Sequence, residues 1–197
     1  MKSKHQPQTF NVALLGDTNV GKTSLLITLT TSGFPYDFIP SSYIPEPFPI
    51  AIKRYIHLIQ FIDTTNDWDE ENKPDWYSYG KIDCFVICFS IDNYDSFERI
   101  DKYLDEINKY YDKGEIRILL VGTKCEMRSN EQMIRVLKSQ GRKMVNKKQI
   151  QRRAKEIKAN GWMELSSLEI INFKNFYENI ENIVMDELCK KKEDLKP

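Results

Sequence analysis

The chain has 197 residues, 41% of them hydrophobic, and its 29 Lys and Arg side chains are balanced by 29 Asp and Glu side chains. This length and composition indicate one globular domain, and the zero net charge excludes a protein attracted to nucleic acid by its overall field. The cysteines and histidines show no metal-site spacing, and no apolar run is long enough to span a bilayer. We therefore expect a reduced, cytoplasmic monomer that binds no nucleic acid.

The first predicted elements are a strand over Phe10–Leu15 and a helix over Lys22–Thr31. Between them lies Gly-Asp-Thr-Asn-Val-Gly-Lys-Thr, residues 16–23, which matches the pattern of a phosphate-binding loop in full. Glycines at this spacing let backbone N–H groups turn toward phosphates, and the helix adds the positive end of its dipole. Lys22 is then expected to meet the β- and γ-phosphates, and the Thr23 hydroxyl to ligate Mg²⁺.

The second and third predicted strands form a hairpin. They span Ile50–Ile52 and Ile56–Ile62, and the short connection at 53–55 requires an antiparallel pair. Prolines alternate at positions 45, 47 and 49. Because residues two apart in a strand point their N–H groups to the same edge, these prolines remove the donors along one edge. That edge either resists pairing with other strands or changes which partners it accepts.

The rest of the chain alternates between strands and helices. Cys84 and Cys88 lie in an apolar run, which predicts small buried side chains of a strand. Such alternation is typical of an α/β fold whose parallel sheet is covered on both faces and binds ligands at the carboxyl ends of its strands. The predicted strands are Cys84–Ser90, Ile116–Val121 and Trp162–Leu165, and the predicted helices are Ser96–Tyr111, Lys148–Ala159 and Phe173–Leu188.

Further segments carry a family resemblance. Residues 34–41 read Phe-Pro-Tyr-Asp-Phe-Ile-Pro-Ser, residues 84–90 read Cys-Phe-Val-Ile-Cys-Phe-Ser, and residues 121–124 read Val-Gly-Thr-Lys. Together with the phosphate-binding loop, they resemble the Ras superfamily of small GTPases, and in detail its Rho branch, close to Rac. Segment 34–41 resembles switch I of Rho proteins, and residues 127–147 occupy the place of their helical insert.

This resemblance implies a three-layer α/β P-loop fold, the G domain, with a mostly parallel six-stranded sheet and the Rho-type insert. The domain is expected over residues 9–189, between a flexible N-terminus at 1–8 and a charged tail at 190–197. The resemblance also implies binding of GTP and GDP with Mg²⁺ and action as a signalling switch.

The resemblance assigns roles to individual residues. Thr23, Ser41 and Asp63 match the metal-holding positions, with Asp63 acting through water. Lys22, Thr18 and Asp67 occupy positions that act in hydrolysis. The expected nucleotide contacts are Asp17, Thr18, Asn19, Val20, Gly21, Lys22, Thr23, Ser24, Phe34, Ser41, Asn66, Thr123, Lys124, Glu126, Ser166, Ser167 and Leu168.

Several positions depart from the Rho pattern. Ser41 replaces a threonine and keeps the hydroxyl, whereas Glu126 replaces the base-reading aspartate with a longer carboxylate. Thr18 replaces a glycine and adds bulk near the γ-phosphate, while Asn66 replaces a glycine with the non-glycine residue that best tolerates left-handed φ. Asp67 replaces the glutamine that orients the attacking water, and a carboxylate cannot donate as an amide does.

These departures predict slow GTP hydrolysis. The alternative within the same fold is a GTP-locked, hydrolysis-deficient module that binds effectors. A P-loop kinase or ATPase is disfavoured, because the loops at 123–126 and 166–168 fit base recognition and have no evident kinase role.

The expected partner surfaces are residues 34–50 and 64–81, through which relatives contact effectors, exchange factors and activating proteins. Residues 67–75 are mostly acidic, whereas residues 128–158 are strongly basic, so the molecule is predicted to be a dipole. The basic stretch is either a solvated surface or one that contacts an acidic protein or, weakly, an acidic membrane.

Two further features bear on partners. Trp68, Trp76, Tyr77 and Tyr79 interleave with the acidic residues and either anchor an interface or pack onto the sheet. The sequence ends without the prenylated C-a-a-X box that Rho proteins normally carry. We expect a cytoplasmic protein that is at most peripheral at membranes.

Overall fold

A computed structural model describes residues 7–52, 54–65, 73–112 and 114–193, with the side chains of the last helix described to residue 188. The strands are β1 (Thr9–Leu15), β2 (Phe48–Ile52), β3 (Tyr55–Asp63), β4 (Cys84–Ser90), β5 (Arg117–Thr123) and β6 (Gly161–Glu164). The helices are α1 (Lys22–Thr31), α2 (Tyr94–Glu98), α3 (Ile100–Ile107), α4 (Glu131–Ser139), α5 (Lys147–Glu156) and α6 (Phe173–Glu193), and 3-10 turns occur at Asp75–Tyr79 and Cys125–Ser129.

The strands form one six-stranded sheet in the order β2-β3-β1-β4-β5-β6. Strand β2 is antiparallel to β3, with Ile50 opposite His57, and every other neighbouring pair is parallel. Strand β1 lies centrally, where Val12 is opposite both Phe61 of β3 and Cys84 of β4. The predicted α/β architecture with an antiparallel edge is therefore confirmed.

The sheet separates two apolar layers, because successive side chains of a strand point to opposite faces. Val12 and Leu14 pack with Leu25 of α1 and Phe176 of α6 on one face. Ala13 and Leu15 belong to the other layer, which α3 and α5 complete. Cys84 and Cys88 are buried in the first layer, as expected of strand residues.

An aromatic cluster extends the second layer toward the 3-10 turn at Asp75–Tyr79. The Trp76 side chain is fully buried, and its ring meets those of Phe85 and Tyr110 at centroid distances of 5.0 and 5.3 Å. Tyr77 remains 42% exposed. Of the predicted aromatic anchors, Trp76 thus packs onto the sheet, while Trp68 lies outside the described residues.

Several elements differ from the predicted bounds. The expected helix over Ser96–Tyr111 is two helices, which meet at Arg99, a residue in turn conformation. Strand β2 begins at Phe48, two residues before the predicted start, so Pro49 lies within it, whereas Pro45 and Pro47 precede it. Helix α6 continues to Glu193, beyond the predicted end at Leu188, and so includes the first residues of the expected charged tail at 190–197.

No helix among the described residues combines the length and the apolar character that a membrane crossing requires. The loops that follow β1, β3, β5 and β6 all lie at the carboxyl-terminal edge of the sheet, since these strands are parallel. That edge carries the residues described next.

Candidate functional site

The loop between β1 and α1 has a backbone that requires glycine at two positions. Gly16 has φ +145°, and a Cβ atom there would lie 2.2 Å from the carbonyl oxygen of Cys88. Gly21 has φ +101° and immediately precedes α1. A side chain at either residue would strain the loop, so the turn places backbone amides at the N-terminus of α1 as an anion site requires.

The Lys22 ammonium group is buried in this loop. Its Nζ donates to the carbonyl oxygens of Gly16 and Asp17 at 2.7 and 3.1 Å. Burial lowers the pKa of Lys22 from its ordinary value, and nearby acidic groups, Asp63 and Asp17 among them, only partly offset this. An anion bound beside Lys22 would therefore relieve an unfavourable buried charge.

The Asp17 side chain faces α3 and not the cavity described below. It forms an ion pair with Arg99 and accepts a hydrogen bond from the Tyr103 hydroxyl at 2.7 Å. Asp17 and Tyr103 are both buried. These contacts fasten the loop to α3, and any contact between Asp17 and a ligand in the cavity is left to its backbone.

The Asp63 carboxylate, at the end of β3, connects α1 to the segment after switch I. Its Oδ2 accepts from the Thr23 hydroxyl at 2.7 Å and from the Tyr43 N–H at 3.0 Å. Its Oδ1 is buried and has no hydrogen-bond partner among the described residues. Burial raises the pKa of Asp63 above its ordinary value, although both hydrogen bonds act to lower it. A buried carboxylate oxygen of this kind, beside a threonine hydroxyl, fits a hard cation such as Mg²⁺.

The loop after β5 forms the opposite end of the site. Its Thr123 hydroxyl donates to the Phe89 carbonyl at 3.0 Å and to the Val20 carbonyl, which ties the loop to the phosphate-binding loop. The backbone of Lys124 is left-handed, with φ +57°. Oε2 of Glu126 is buried without a hydrogen-bond partner in the described part of the chain. This acceptor fits a ligand that presents N–H groups, as the edge of guanine does.

A partly buried ion pair joins the loops after β5 and β6. The Arg128 guanidinium binds the Glu164 carboxylate through two nitrogens, one at 3.1 Å, and donates to the Val145 carbonyl at 2.7 Å. Glu164 is only 7% exposed. The Cys125 N–H also donates to the Leu165 carbonyl at 3.1 Å. Both loops are thereby held in one arrangement.

These elements enclose a cavity of about 690 Å³. Asp17, Val20 and Ser166 do not line it: Val20 is buried in the core, and the Ser166 hydroxyl accepts from the Glu169 N–H at 3.0 Å. Asp63 is likewise outside the lining, although it is bound to Thr23. The predicted residues that line the cavity are Thr18, Asn19, Gly21, Lys22, Thr23, Ser24, Phe34, Ser41, Thr123, Lys124, Glu126, Ser167 and Leu168.

The cavity also contains residues that were not assigned to the site from the sequence. They are Ile39, Pro40, Thr64, Thr65, Asp92 and Met127. Thr64 and Thr65 follow the predicted ligand Asp63 directly, so their position after a central strand was a usable signal. Asp92 follows β4, and no motif marks it.

The predicted residues Asn66 and Asp67 lie outside the described residues. Thr65, which precedes them, is bound to Asp75: its N–H and its hydroxyl donate to Asp75 Oδ2 at 2.8 and 3.1 Å. Asp75 in turn directly precedes the buried Trp76. The cavity wall at Thr65 is thus connected to the aromatic cluster.

Two comparisons of the sequence with known proteins are consistent with this site. The sequence model that describes the Ras family matches residues 11–186. The Rho-related protein racI of Dictyostelium discoideum is 32% identical over 166 residues, which cover 83% of this chain and 80% of that protein. All the cavity residues named above lie within the range that the family model matches.

Proposed function

The chain belongs to the Ras family of small GTPases and is Rho/Rac-like, and from this premise we propose that it binds GTP and GDP with Mg²⁺ and hydrolyses GTP slowly. The observation that carries the proposal is a cavity lined by both Lys22, a buried ammonium group, and Glu126, a carboxylate with one unpartnered oxygen among the described residues. A nucleotide has a matching distribution of charge, with anionic phosphates at one end and N–H donors on guanine at the other.

At the phosphate end, backbone amides of the loop and the ammonium group of Lys22 bind the β- and γ-phosphates. The hydrogen bonds from Lys22 to its own loop are exchanged for contacts with phosphate oxygens. Thr23, Ser41 and Asp63 would hold Mg²⁺, which when bound neutralises phosphate charge. The unpartnered Oδ1 of Asp63 and the position of Ser41 on the cavity wall support this assignment.

At the base end, Glu126 accepts from the guanine N–H groups, while the stem of Lys124 lies along the base plane. Phe34 packs against the base from the switch I side, and the Ser167 backbone N–H donates to the guanine carbonyl. All four residues line the cavity, which supports this placement. The ion pair between Arg128 and Glu164 keeps the two base-binding loops together.

Slow hydrolysis is proposed from two substitutions. Phosphoryl transfer in these proteins needs an oriented water, and the orienting glutamine together with a partner's arginine contributes about 10³- to 10⁵-fold in rate. Asp67 lacks the amide that would orient the water, and Thr18 crowds the approach to the γ-phosphate. Thr18 is exposed on the cavity wall, which supports its effect on that approach.

Single-turnover hydrolysis of bound GTP tests the rate. The unmodified protein is compared with Asp67→Gln and with Thr18→Gly plus Asp67→Gln, and the doubly changed protein is expected to be the fastest. An unmodified protein that hydrolyses GTP as fast as the double variant would show that the two substitutions are neutral.

The alternative, a GTP-locked module for effectors, rests on the same two substitutions. Chromatography of the nucleotide that copurifies separates the alternatives, because a locked protein retains GTP and a slow enzyme accumulates GDP over time. Adenine nucleotide in that extract would contradict the guanine assignment itself.

The partner surfaces are proposed at residues 34–50 and 64–81, for effectors, exchange factors and activating proteins. Tyr36, Phe38 and Ile44 are 77%, 75% and 70% exposed, which supports an interface in the first of these segments. The protein is proposed to be a cytoplasmic monomer whose residues 128–158 make at most weak, salt-sensitive contact with acidic membranes.

A further inference from the structure

A groove lies on the inserted segment, within residues 134–144 and outside the lining of the nucleotide cavity. It has a volume of about 420 Å³ and forms where the chain turns back along α4. The Arg142 N–H donates to the Leu137 carbonyl at 2.8 Å and the Gly141 N–H to the Lys138 carbonyl at 3.1 Å, while Gly141 has φ +68°. This helix-terminating turn fixes the groove's shape. We refer to it below as the insert groove.

The lining of the insert groove combines an apolar floor with a basic rim. Ile134, Leu137 and Met144 form the apolar part, and Ile134 is 43% exposed although it is a large aliphatic residue. Lys138, Arg142 and Lys143 supply the charges, and none of the described residues that line the groove is acidic. The volume lies within the range of about 300–1,000 Å³ that is usual for ligand pockets.

The charges at this rim are available to a ligand. Arg142 makes only an exposed ion pair with Asp95 at 3.1 Å, which contributes little. Lys138 and Lys143 are exposed and make no ion pair with a described residue. Arg128, Lys147 and Arg153, by contrast, pair with carboxylates, whereas the ion pairs of Arg135 and Arg152 are exposed like that of Arg142.

These features favour a peptide over a membrane as the occupant. The surface of a bilayer is flat and makes little contact with the floor of a concave groove, and recognition of acidic lipid usually needs a cluster of about 4–8 cations. We propose that the insert groove binds an acidic segment of a partner protein. One apolar side chain of that segment enters between Ile134 and Met144, and flanking carboxylates pair with Lys138 and Lys143.

The proposal is tested on the full chain with its bound nucleotide. The probes are fluorescein-labelled peptides of about twelve residues, rich in Asp and Glu, each with one central Leu, Ile, Phe or Trp. We expect saturable binding by at least one peptide, with methyl NMR shifts at Ile134, Leu137 and Met144. The same peptide with Ser at its centre, or with Lys in place of its acidic residues, is expected to bind at least tenfold more weakly.

Charge-reversed variants locate the site. Lys138→Glu plus Lys143→Glu is expected to weaken peptide binding about tenfold or more, whereas Lys148→Glu plus Lys155→Glu, exposed lysines of α5, makes the same change in net charge and has little effect. An equal loss of peptide binding in both double variants would show that the peptide is attracted by the net charge of the protein and not by the insert groove. This result would overturn the proposal.

Three other results would also overturn it. They are the absence of saturable binding by every peptide, binding of phosphatidylserine vesicles that only the Lys138 and Lys143 substitutions abolish, and self-association in sedimentation velocity that those substitutions abolish. Nucleotide affinity, measured in the same samples, is expected to be unchanged. Failure of the groove proposal is therefore distinguishable from failure of the proposed GTPase function.

Discussion

At the scale of single residues, Glu126 carries the clearest chemical consequence. Its buried Oε2 has no described partner, and its side chain is one methylene longer than the aspartate of the Rho pattern. We predict that Glu126→Asp tightens guanine nucleotide binding by about 1–3 kcal/mol, because the strain on one charged hydrogen bond is relieved. The dissociation rate of a fluorescent GDP analogue measures the change.

Glu126→Gln serves as the control for this prediction, because it keeps the length of the side chain and loses the charge. It is expected to weaken GDP binding. If the unmodified protein binds ATP and GTP with equal affinity, Glu126 does not read the base.

Asp63 makes the stability of the nucleotide-free protein depend on pH. Its pKa in the folded protein is raised above the ordinary value of 3.8, so the fold favours the protonated carboxyl. Stability from this group is therefore present at low pH and lost as the pH rises from 3.8 through the raised folded pKa. We predict that Asp63→Asn, which cannot ionise, avoids this loss.

Urea unfolding at a series of pH values, with nucleotide and Mg²⁺ removed, measures the effect. The free energy of unfolding of the variant, relative to the unmodified protein, should increase across that interval and then level off. Excess GDP with Mg²⁺ should reverse the order, because a charged carboxylate holds the cation more strongly than the neutral amide of Asn does. If the free energies of unfolding of the two proteins change with pH in the same way, burial does not raise the pKa of Asp63.

Sequence patterns predicted many of the residues that surround the cavity. They were less successful in predicting the direction in which each side chain points. The phosphate-loop motif specified Lys22 and Thr23 because the spacing of its glycines dictates the backbone. It did not specify that Asp17 turns to α3, since this depends on Arg99 and Tyr103, far along the chain. Asp92 follows the parallel strand β4, so its position at the carboxyl-terminal edge of the sheet was a signal, but no motif reinforced it.

At the scale of elements, the ion pair of Arg128 and Glu164 holds the loops after β5 and β6 together. We predict that Arg128→Ala lowers the free energy of unfolding by about 3 kcal/mol, because it leaves the Glu164 carboxylate buried and short of partners. It should also accelerate GDP release, because the hydrogen bond from the Cys125 N–H to the Leu165 carbonyl is then left to hold the two loops together. Urea unfolding and GDP dissociation rates provide the two measurements.

Two further variants define this effect. Arg128→Ala plus Glu164→Gln should recover part of the lost stability, since the buried charge is removed. Arg135→Ala deletes an arginine whose ion pair with Glu131 is fully at the surface, so it should cost less than about 0.5 kcal/mol. Similar losses in the free energy of unfolding for Arg128→Ala and Arg135→Ala would show that the ion pair of Arg128 and Glu164 does not stabilise these loops.

Hydrophobic periodicity predicted the strands and helices because burial on the sheet imposes it. It did not predict the division between α2 and α3, since the apolar positions Phe97, Ile100, Tyr103 and Ile107 continue across the break. There the helix is interrupted at Arg99, the residue that pairs with Asp17 of the phosphate-binding loop. Such a tertiary contact leaves no periodic signal in the sequence.

At the scale of the whole molecule, the basic stretch is less available than its composition suggests. Internal ion pairs engage many of its arginines, as with Arg153 and both Asp101 and Glu156. We predict weak sedimentation with anionic vesicles that is lost as salt is raised, because the Debye length falls from about 10 Å at 0.1 M to about 3 Å at 1 M. Binding that persists in 1 M salt would contradict this prediction.

The position of Trp76 gives the molecule an intrinsic optical reporter. This indole is fully buried among Phe85, Tyr110 and Tyr111, and its neighbour Asp75 holds the cavity residue Thr65. A rearrangement that releases Thr65 from Asp75 would shift the indole within its aromatic surroundings and change the wavelength and intensity of its emission. With Trp68 and Trp162 replaced by Phe, the fluorescence of one side chain would follow nucleotide exchange without an attached dye.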